Sequence, residues 1–235
     1  MQFKDQPKKK AVTFSYDDGV TQDIRLIELL NKYGLKCTFN LNSEKLGQNR
    51  MLMRNNGQRI SHYKVHAADV RDIYAGHEVA VHTLTHPNLT TLDDAEVIRQ
   101  VEQDRLNLSE LAGYEVIGMA YPCGGVNNDD RVAQLIRENT GVRYSRTITC
   151  NQSFDLQENL HRFNPTEYHL HFDDMMRLGE QFVNLKTDVP QVFYLWGHSY
   201  EMDFESENWV KLENFFKLIA HRDDIFYGTN KEVLL

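Results

Sequence analysis

The stretch AVTFSYDDG, from Ala11 to Gly19, decides how the rest of the chain is organised. A short apolar run rich in Val, Phe and Tyr ends at two adjacent carboxylates, Asp17 and Asp18, and a glycine follows. This pattern is typical of a buried strand that delivers acid groups to the edge of a sheet and then turns. Neighbouring strand residues point to opposite faces, so the two carboxylates share a site only if the strand ends there. An ordinary Asp-Asp-Gly turn is the alternative.

The overall composition is that of a globular protein with a net negative charge. Hydrophobic residues make up 41% and charged residues 26% of the 235, and the formal charge is −8. This balance argues against nucleic acid or an anionic membrane as the main partner, because both attract clustered lysine and arginine. It also makes a strongly acidic polymer a poor substrate, unless a local basic patch overrides the average.

The cysteines and the N-terminal segment bear on the compartment. Cys37, Cys123 and Cys150 are odd in number and widely spaced, so they predict no disulfide framework and favour a reducing environment. The N-terminal segment has no apolar core, and no run of about 18 apolar residues occurs, so we expect no membrane span. The chain as given is expected to be cytoplasmic, or else the mature form of a longer exported precursor.

Strand-like and helix-like segments alternate along the whole chain. Strands are expected at 11–16, 37–42, 77–82, 116–121, 142–145, 161–163, 191–196 and 224–229. Helices are expected at 23–34, 66–76, 92–113, 128–141, 171–184 and 207–221, and residues 43–65 are expected to form a polar inserted loop. No linker or repeat divides the chain, so residues 1–235 are expected to form a single domain. The alternation predicts a parallel α/β sheet, and the length favours a reduced or distorted barrel.

Three further clusters follow predicted strands directly. They are His82-Thr83-Leu84-Thr85-His86, Tyr121-Pro122-Cys123-Gly124-Gly125 and Trp196-Gly197-His198-Ser199-Tyr200. Taken singly, each has an ordinary interpretation as polar histidines or a simple turn. In a parallel barrel, however, the carboxyl ends of the strands meet at one mouth, where catalytic groups sit. Their shared placement therefore predicts one functional site.

These motifs resemble those of NodB-homology polysaccharide deacetylases, a carbohydrate esterase family 4-like group. Phe14–Gly19 is similar to the family's TFDDG motif, and His82–His86 is similar to its H-[ST]-x-x-H motif. More loosely, Tyr121–Gly124 is similar to the third motif and Leu195–His198 to the fifth. The resemblance spans about residues 11 to 200, and it implies a TIM-like, distorted (β/α) barrel with about seven parallel strands.

The resemblance also implies roles for individual residues. It makes Asp17 the catalytic base and makes Asp18, His82 and His86 a metal triad, for which Zn²⁺ is the default ion and Co, Ni, Fe or Mn are alternatives. His198 would be the general acid, and the backbone N–H of Cys123 would be the oxyanion donor. Substrate-binding surfaces are expected from four residues, Tyr121, Pro122, Trp196 and Tyr200; packing in the core or barrel rim is the alternative for the aromatic rings.

The sequence departs from the family pattern in the later motifs. An arginine that normally orients the base is replaced by Ala120, so another cation must act, with Arg143, Arg146 and Arg162 as candidates. Cys123 replaces the usual aromatic residue of the third motif. No fourth motif, normally an aspartate supporting the acid histidine, is evident, and Asp155 and Asp173 are poor candidates for it.

The resulting prediction is a metal-dependent hydrolase that removes acetyl groups from N-acetylated, or alternatively O-acetylated, carbohydrate. An amidase acting on a non-sugar C–N bond is the nearest alternative, because metal-assisted hydrolysis suits any unactivated amide. A catalytically silent sugar-binding barrel is the alternative from another class, and the altered third motif keeps it open.

Overall fold

The AVTFSYD run forms an interior strand of a parallel sheet in the computed structural model, which describes residues 2–235. This strand, β1 (Lys10–Asp17), is buried along its whole length. Its even-numbered residues Val12, Phe14 and Tyr16 join the main hydrophobic core. Its odd-numbered residues lie on the opposite face, as strand alternation requires, and Asp17 is the last of them. The strand therefore brings one carboxylate to its end on the inner face of the sheet.

The remaining elements alternate in type along the chain. The other strands are β2 (Cys37–Leu41), β3 (Asn49–Met53), β4 (Arg59–Tyr63), β5 (Glu78–Val81), β6 (Gly118–Ala120), β7 (Tyr144–Arg146), β8 (Glu167–Tyr168), β9 (Gln191–Gly197) and β10 (Ile225–Tyr227). The α-helices are α1 (Asp23–Lys32), α2 (Val70–Ile73), α3 (Asp94–Ala112), α4 (Asp130–Asn139), α5 (Phe172–Asn184), α6 (Asn208–Ile219) and α7 (Asn230–Leu234). Short 3₁₀ helices occupy Phe3–Asp5, Ser43–Lys45, Ala67–Asp69, Leu89–Thr91, Leu160–Arg162 and Ser199–Phe204.

The main sheet has the strand order β7-β6-β5-β2-β1-β9-β8, and all its pairings are parallel. The additional strand β10 lies beside the first residues of β1, ahead of the point where β2 begins to pair. Helices cover the outer face; for example, Phe215 and Phe216 of α6 pack edge-on against Phe14. This arrangement confirms the predicted distorted (β/α) barrel.

One short segment contacts both edges of the sheet. Phe163 forms a parallel bridge with Arg146 at the end of β7, and residues 167–168 then pair with β9 as β8. The strand predicted at 161–163 is therefore wrong in detail, because the chain there makes the 3₁₀ turn Leu160–Arg162 before this single bridge. The segment passes from β7 at one edge of the sheet to β9 near the other within a few residues. It can therefore form only a short pairing with each of these strands.

The inserted loop predicted at 43–65 is instead largely an antiparallel hairpin of β3 and β4. Its turn contains Asn55-Asn56-Gly57, and Gly57 adopts a φ of +82°, which favours glycine. The strand β4 alternates, burying Ile60 and His62 while Arg59 and Tyr63 face solvent. Its polar sequence reflects this one-sided burial.

Helix ends follow the sequence signals in most places. In α3, the Asp93 side chain accepts a hydrogen bond from the Glu96 N–H at 2.9 Å, and the helix stops at Gly113 with a φ of +79°. The helix predicted at 66–76 is wrong in length, since only Val70–Ile73 is α-helical. Within the part of the chain that the structure describes, no helix combines the length and apolar character needed to cross a bilayer.

Candidate active site

Asp17 and Asp18 line the same cavity because the backbone leaves the extended conformation between them. Asp18 has a φ of +85°, in the left-handed region that non-glycine residues seldom adopt. Gly19 follows with a φ of +61°, and a Cβ placed there would lie 2.6 Å from Cδ2 of Leu41. The glycine is therefore required twice, by its conformation and by this close approach. The strand-end interpretation of the opening stretch is the one the structure shows.

Nearly all the residues singled out in the sequence border one cavity of about 330 Å³. The members are Asp17, Asp18, His82, His86, Tyr121, Cys123, Trp196, His198 and Tyr200. Pro122 is buried and does not line the cavity, so nothing in its position indicates a contact with substrate. Left-handed backbone conformations recur here, with φ of +64° at His86 and +70° at Cys123. Such strained residues concentrate at functional sites.

Asp17 is held by two buried donors. Nη2 of Arg146 lies 2.6 Å from Oδ1 and 2.5 Å from Oδ2, and Nδ2 of Asn40 donates to Oδ1 at 2.8 Å. Burial raises the pKa of the Asp17 carboxyl, but the Arg146 guanidinium outweighs it and the pKa is lowered. Asp17 is therefore ionised at neutral pH.

Of the three arginines considered from the sequence as replacements for the one missing at Ala120, Arg146 is the one that contacts Asp17. The other two lie elsewhere: Arg143 is exposed, and Arg162 pairs with Asp130 at 2.6 Å. Arg146 is fully buried, and its guanidinium lies 4.5 Å from the centroid of the Trp196 ring. Trp196 therefore contributes to holding this arginine as well as to lining the cavity.

Asp18, His82 and His86 form a cluster suited to a metal ion. One ligand atom from each lies within 4.8 Å of the others. Nδ1 of His82 donates to the Ala120 carbonyl at 2.9 Å, which leaves its Nε2 lone pair available. Burial lowers the pKa of both imidazoles, to about 3 for His86, so both are neutral. One carboxylate with two neutral imidazoles is a set that fits Zn²⁺ and related ions.

Two residues in or next to the β3–β4 hairpin also contact Asp18, and neither contact was predicted from the sequence. Nε2 of His62 donates to Oδ2 at 3.2 Å, and Nζ of Lys64 lies 3.0 Å from Oδ1 and also donates to the Asp18 carbonyl. Burial raises the pKa of Asp18, but His62 and Lys64 together hold it well below its usual range. The carboxylate is consequently fixed and ionised.

His198 is supported by Glu201, a residue that sequence reasoning missed. Nδ1 of His198 donates to Oε2 of Glu201 at 3.0 Å, and the same oxygen accepts from Nε2 of the buried His169 at 2.8 Å. Burial lowers the pKa of His198, but the Glu201 carboxylate overrides it and raises the pKa to about 9. His198 is therefore protonated at neutral pH.

The two aspartates considered for this supporting role do not contact His198 in the described residues. Asp155 is exposed and accepts from Gln191 and Ser153, and Asp173 lies in the first turn of α5. The spacing His198-x-x-Glu201 is the signal that could have been used, because the Glu201 carboxylate accepts from the His198 backbone N–H at 3.2 Å, as the glutamate of a capping box does.

The turn after β6 is held in place by hydrogen bonds from Asn127. Nδ2 of Asn127 donates to the carbonyls of Pro122 and Cys123 at 3.0 and 2.8 Å. No acceptor for the Cys123 N–H occurs among residues 2–235, and Cys123 lines the cavity. The Cys123 thiol lies 3.7 Å from Nδ1 of His86, and burial raises the pKa of the thiol. The thiol therefore stays protonated and is a poor nucleophile.

The aromatic residues divide into two groups. Tyr121 is fully buried and donates its hydroxyl to the His161 carbonyl at 2.7 Å, so its ring forms part of the wall. Tyr200 is only partly buried, and its ring centroid lies 4.8 Å from His62 and 5.3 Å from His198. Tyr200 is thus the more accessible of the two.

Comparison with curated proteins shows relatives that act on acetylated polysaccharides. The chain is 25% identical over 127 residues to the peptidoglycan-N-acetylmuramic acid deacetylase PdaC of Bacillus subtilis, covering 53% of this chain and 24% of that protein. It is 32% identical over 108 residues to a chitin deacetylase of Pestalotiopsis, covering 46% of this chain and 31% of that protein. The chain thus spans about a quarter to a third of these relatives' length.

Solved structures share the fold across nearly the whole chain. A family 4 carbohydrate esterase from Streptomyces lividans, in complex with acetate, superposes with a TM-score of 0.56 at 14% identity, covering 94% of this chain and 92% of that one. A family 4 pseudoenzyme from Bacillus anthracis superposes with a TM-score of 0.57 at 16% identity, covering 98% and 67%. The family model of polysaccharide deacetylases matches residues 4–144. Because that match takes in β1 through the start of β7, more than half of the chain, this protein belongs to the polysaccharide deacetylase family.

Proposed function

We propose that this protein is a metal-dependent hydrolase that removes acetyl groups from N-acetylated carbohydrate, with O-acetylated carbohydrate as the alternative substrate. The observation that carries the proposal is the position of Asp17. Its Oδ2 lies 3.9 Å from Nε2 of His82, on the side of the metal-type cluster, and 4.0 Å from Nε2 of His198. A base between a metal cluster and a protonated imidazole matches what hydrolysis of an unactivated amide requires.

Asp17 is proposed to act as the general base. Its Oδ1 accepts from both Asn40 and Arg146, whereas Oδ2 accepts only from Arg146 among the described residues. Oδ2 is also the atom nearest to both histidines, and it is the one proposed to take the proton of the attacking water. A correctly placed base contributes about 10²- to 10⁴-fold to the rate.

Asp18, His82 and His86 would hold the metal. When bound, a divalent ion supplies Lewis-acid chemistry, polarising an acyl carbonyl and lowering the pKa of water. The chain's own contribution is a preset ligand geometry. Asp18 is fixed by His62 and Lys64, and His82 is oriented by its bond to the Ala120 carbonyl.

The remaining groups would act on the two ends of the scissile bond. The Cys123 N–H is proposed to donate to the oxygen that gains charge, a contribution of about 3–4 kcal/mol for one such donor. His198 is proposed to give its Nε2 proton to the leaving nitrogen. Its pKa of about 9 supports this, because the proton is present at neutral pH.

The substrate class rests on the relatives and on the cavity wall. Peptidoglycan and chitin, which the relatives' names mention, both carry N-acetylated sugars. The partly exposed ring of Tyr200 offers a surface for a sugar ring, and the buried Trp196 ring forms part of the cavity wall. We therefore propose an acetylated saccharide as the substrate.

The test is acetate release from chitin, peptidoglycan and acetyl-xylan fragments, each with and without a chelator. We expect release from at least one N-acetylated fragment, and its loss on chelation. Release from acetylated non-sugar amides alone would instead favour the amidase alternative. Saccharide binding without any acetate release would favour a silent sugar-binding barrel.

A further inference from the structure

One wall of the cavity is basic, although the protein as a whole is acidic. The wall comes from the segment between β2 and the residue that follows β4, which supplies Lys45, Arg50, His62 and Lys64 to the cavity lining. In the hairpin, Arg50 lies directly opposite His62, so the two side chains share a face. Lys64 is two residues beyond His62 and belongs to that face as well.

The other charges at the site are paired. Asp17 pairs with Arg146, Asp18 with Lys64 and Glu201 with His198. In contrast, neither Lys45 nor Arg50 has a carboxylate within 4.0 Å among residues 2–235. The cavity therefore carries two uncompensated positive charges in a chain whose formal charge is −8.

These two cations line the same cavity as Asp18 and His86 of the metal-type cluster. Lys45 ends the 3₁₀ helix Ser43–Lys45, which follows β2. Arg50 is the register partner of His62, whose imidazole contacts Asp18 and lies 4.8 Å from the Tyr200 ring. Arg50 is therefore on the side of the cavity where His62 and Tyr200 lie.

We propose that Lys45 and Arg50 form a subsite for an anionic substituent of the substrate, a carboxylate or a phosphate, next to the acetyl group that is removed. This inference rests on the proposed function. A guanidinium binds either anion through paired N–H donors, and an ammonium adds a point charge. The side chains of Gln48 and Asn49 also line this part of the cavity and offer neutral donors. This wall of the cavity is therefore positively charged, although the net charge of the whole chain is negative.

The test is calorimetric binding, which does not depend on turnover. The probes are the disaccharide of N-acetylglucosamine and N-acetylmuramic acid, its methyl ester, N-acetylglucosamine 6-phosphate and N-acetylglucosamine. We expect the wild type to bind the charged member of each pair more tightly. Replacing Lys45→Gln or Arg50→Gln should weaken binding of the charged probes by about tenfold per charge and leave the neutral ones unchanged.

Arg59→Gln is the matched control, because Arg59 lies in the same hairpin, faces solvent and does not line the cavity. Equal binding of charged and neutral probes, equal losses in Arg59→Gln, or no binding of any probe would overturn the inference. Comparison of the carboxylate and phosphate pairs identifies the anion. Charge-dependent binding without acetate release would leave the subsite in place and contradict the proposed function instead.

Discussion

Arg146 is the register partner of Ala120 across the β6–β7 pair, and its Nη2 lies 2.6 Å from Oδ1 of Asp17. The guanidinium that the third motif lacks at Ala120 is therefore supplied from the neighbouring strand at the same level of the sheet. An arginine placed one strand away keeps a positive charge beside Asp17, the proposed base, although its side chain reaches Asp17 by a different path. The departure in the sequence is thus compensated in the structure.

Replacing Arg146→Gln should raise the pKa of Asp17, because Arg146 contributes most to lowering this pKa against the effect of burial. The ionised base would be present only at higher pH, so the acid limb of the kcat/KM profile should move upward. Near neutral pH, we expect a loss of about 10²-fold or more. The measurement is the pH profile of acetate release.

Breaking a buried ion pair can also destabilise the fold by about 3–5 kcal/mol, so a thermal melt must accompany the profile. Arg146→Lys is the conservative variant. Because it keeps the positive charge, its acid limb should move upward by less than that of Arg146→Gln. An unchanged acid limb in a folded Arg146→Gln protein would show that Arg146 does not set the ionisation of the base.

Replacing Glu201→Gln should move the basic limb of the kcat/KM profile to lower pH. Glu201 is the main group that raises the pKa of His198 to about 9 against burial, so without it the imidazole loses its proton at lower pH. Activity that depends on protonated His198 should then decline at lower pH than in the wild type. A basic limb that stays in place would contradict the assignment of His198 as the acid.

Replacing His198→Ala should affect amides more than activated acetyl esters. An amine leaves poorly without a proton, whereas the leaving group of an activated ester needs none. We therefore expect a large loss of kcat on an N-acetylated saccharide and a small one on an aryl acetate. Equal losses on both substrates would indicate that His198 positions the substrate and donates no proton.

Replacing Lys64→Met should tighten binding of a divalent ion. The Lys64 ammonium contacts the carboxylate of Asp18, where it opposes a second positive charge. Removing it should lower the dissociation constant for Zn²⁺ by about tenfold, the effect of roughly 1.4 kcal/mol. Titration of the metal-free protein measures this, with Arg59→Met as the control. Weaker binding in Lys64→Met would mean that the lysine mainly positions Asp18.

The strand ends of the site were predictable because their cause is local. The apolar runs of β1, β5 and β9 each stop at a polar residue, and parallel pairing brings those ends together. The pattern could not give the φ of +85° at Asp18 that lets adjacent carboxylates share a cavity, although Gly19 marks a turn there.

The supporting groups other than Glu201 were not predictable, because they reach the site through space. Arg146 ends β7, but it meets Asp17 from 129 positions away, and nothing local separates it from Arg143 or Arg162. The segment holding His62 and Lys64 resembles an ordinary polar loop, because one face of its hairpin is in solvent.

The measurement that tests the central claim most directly is acetate release by Asp17→Asn, with bound metal measured in the same sample. Asparagine keeps the shape of the side chain but cannot take a proton from water, and Asp18, His82 and His86 remain intact. We predict full metal content and a loss of about 10²- to 10⁴-fold in kcat relative to the active wild type. Near wild-type acetate release by a metal-loaded Asp17→Asn protein would contradict the account.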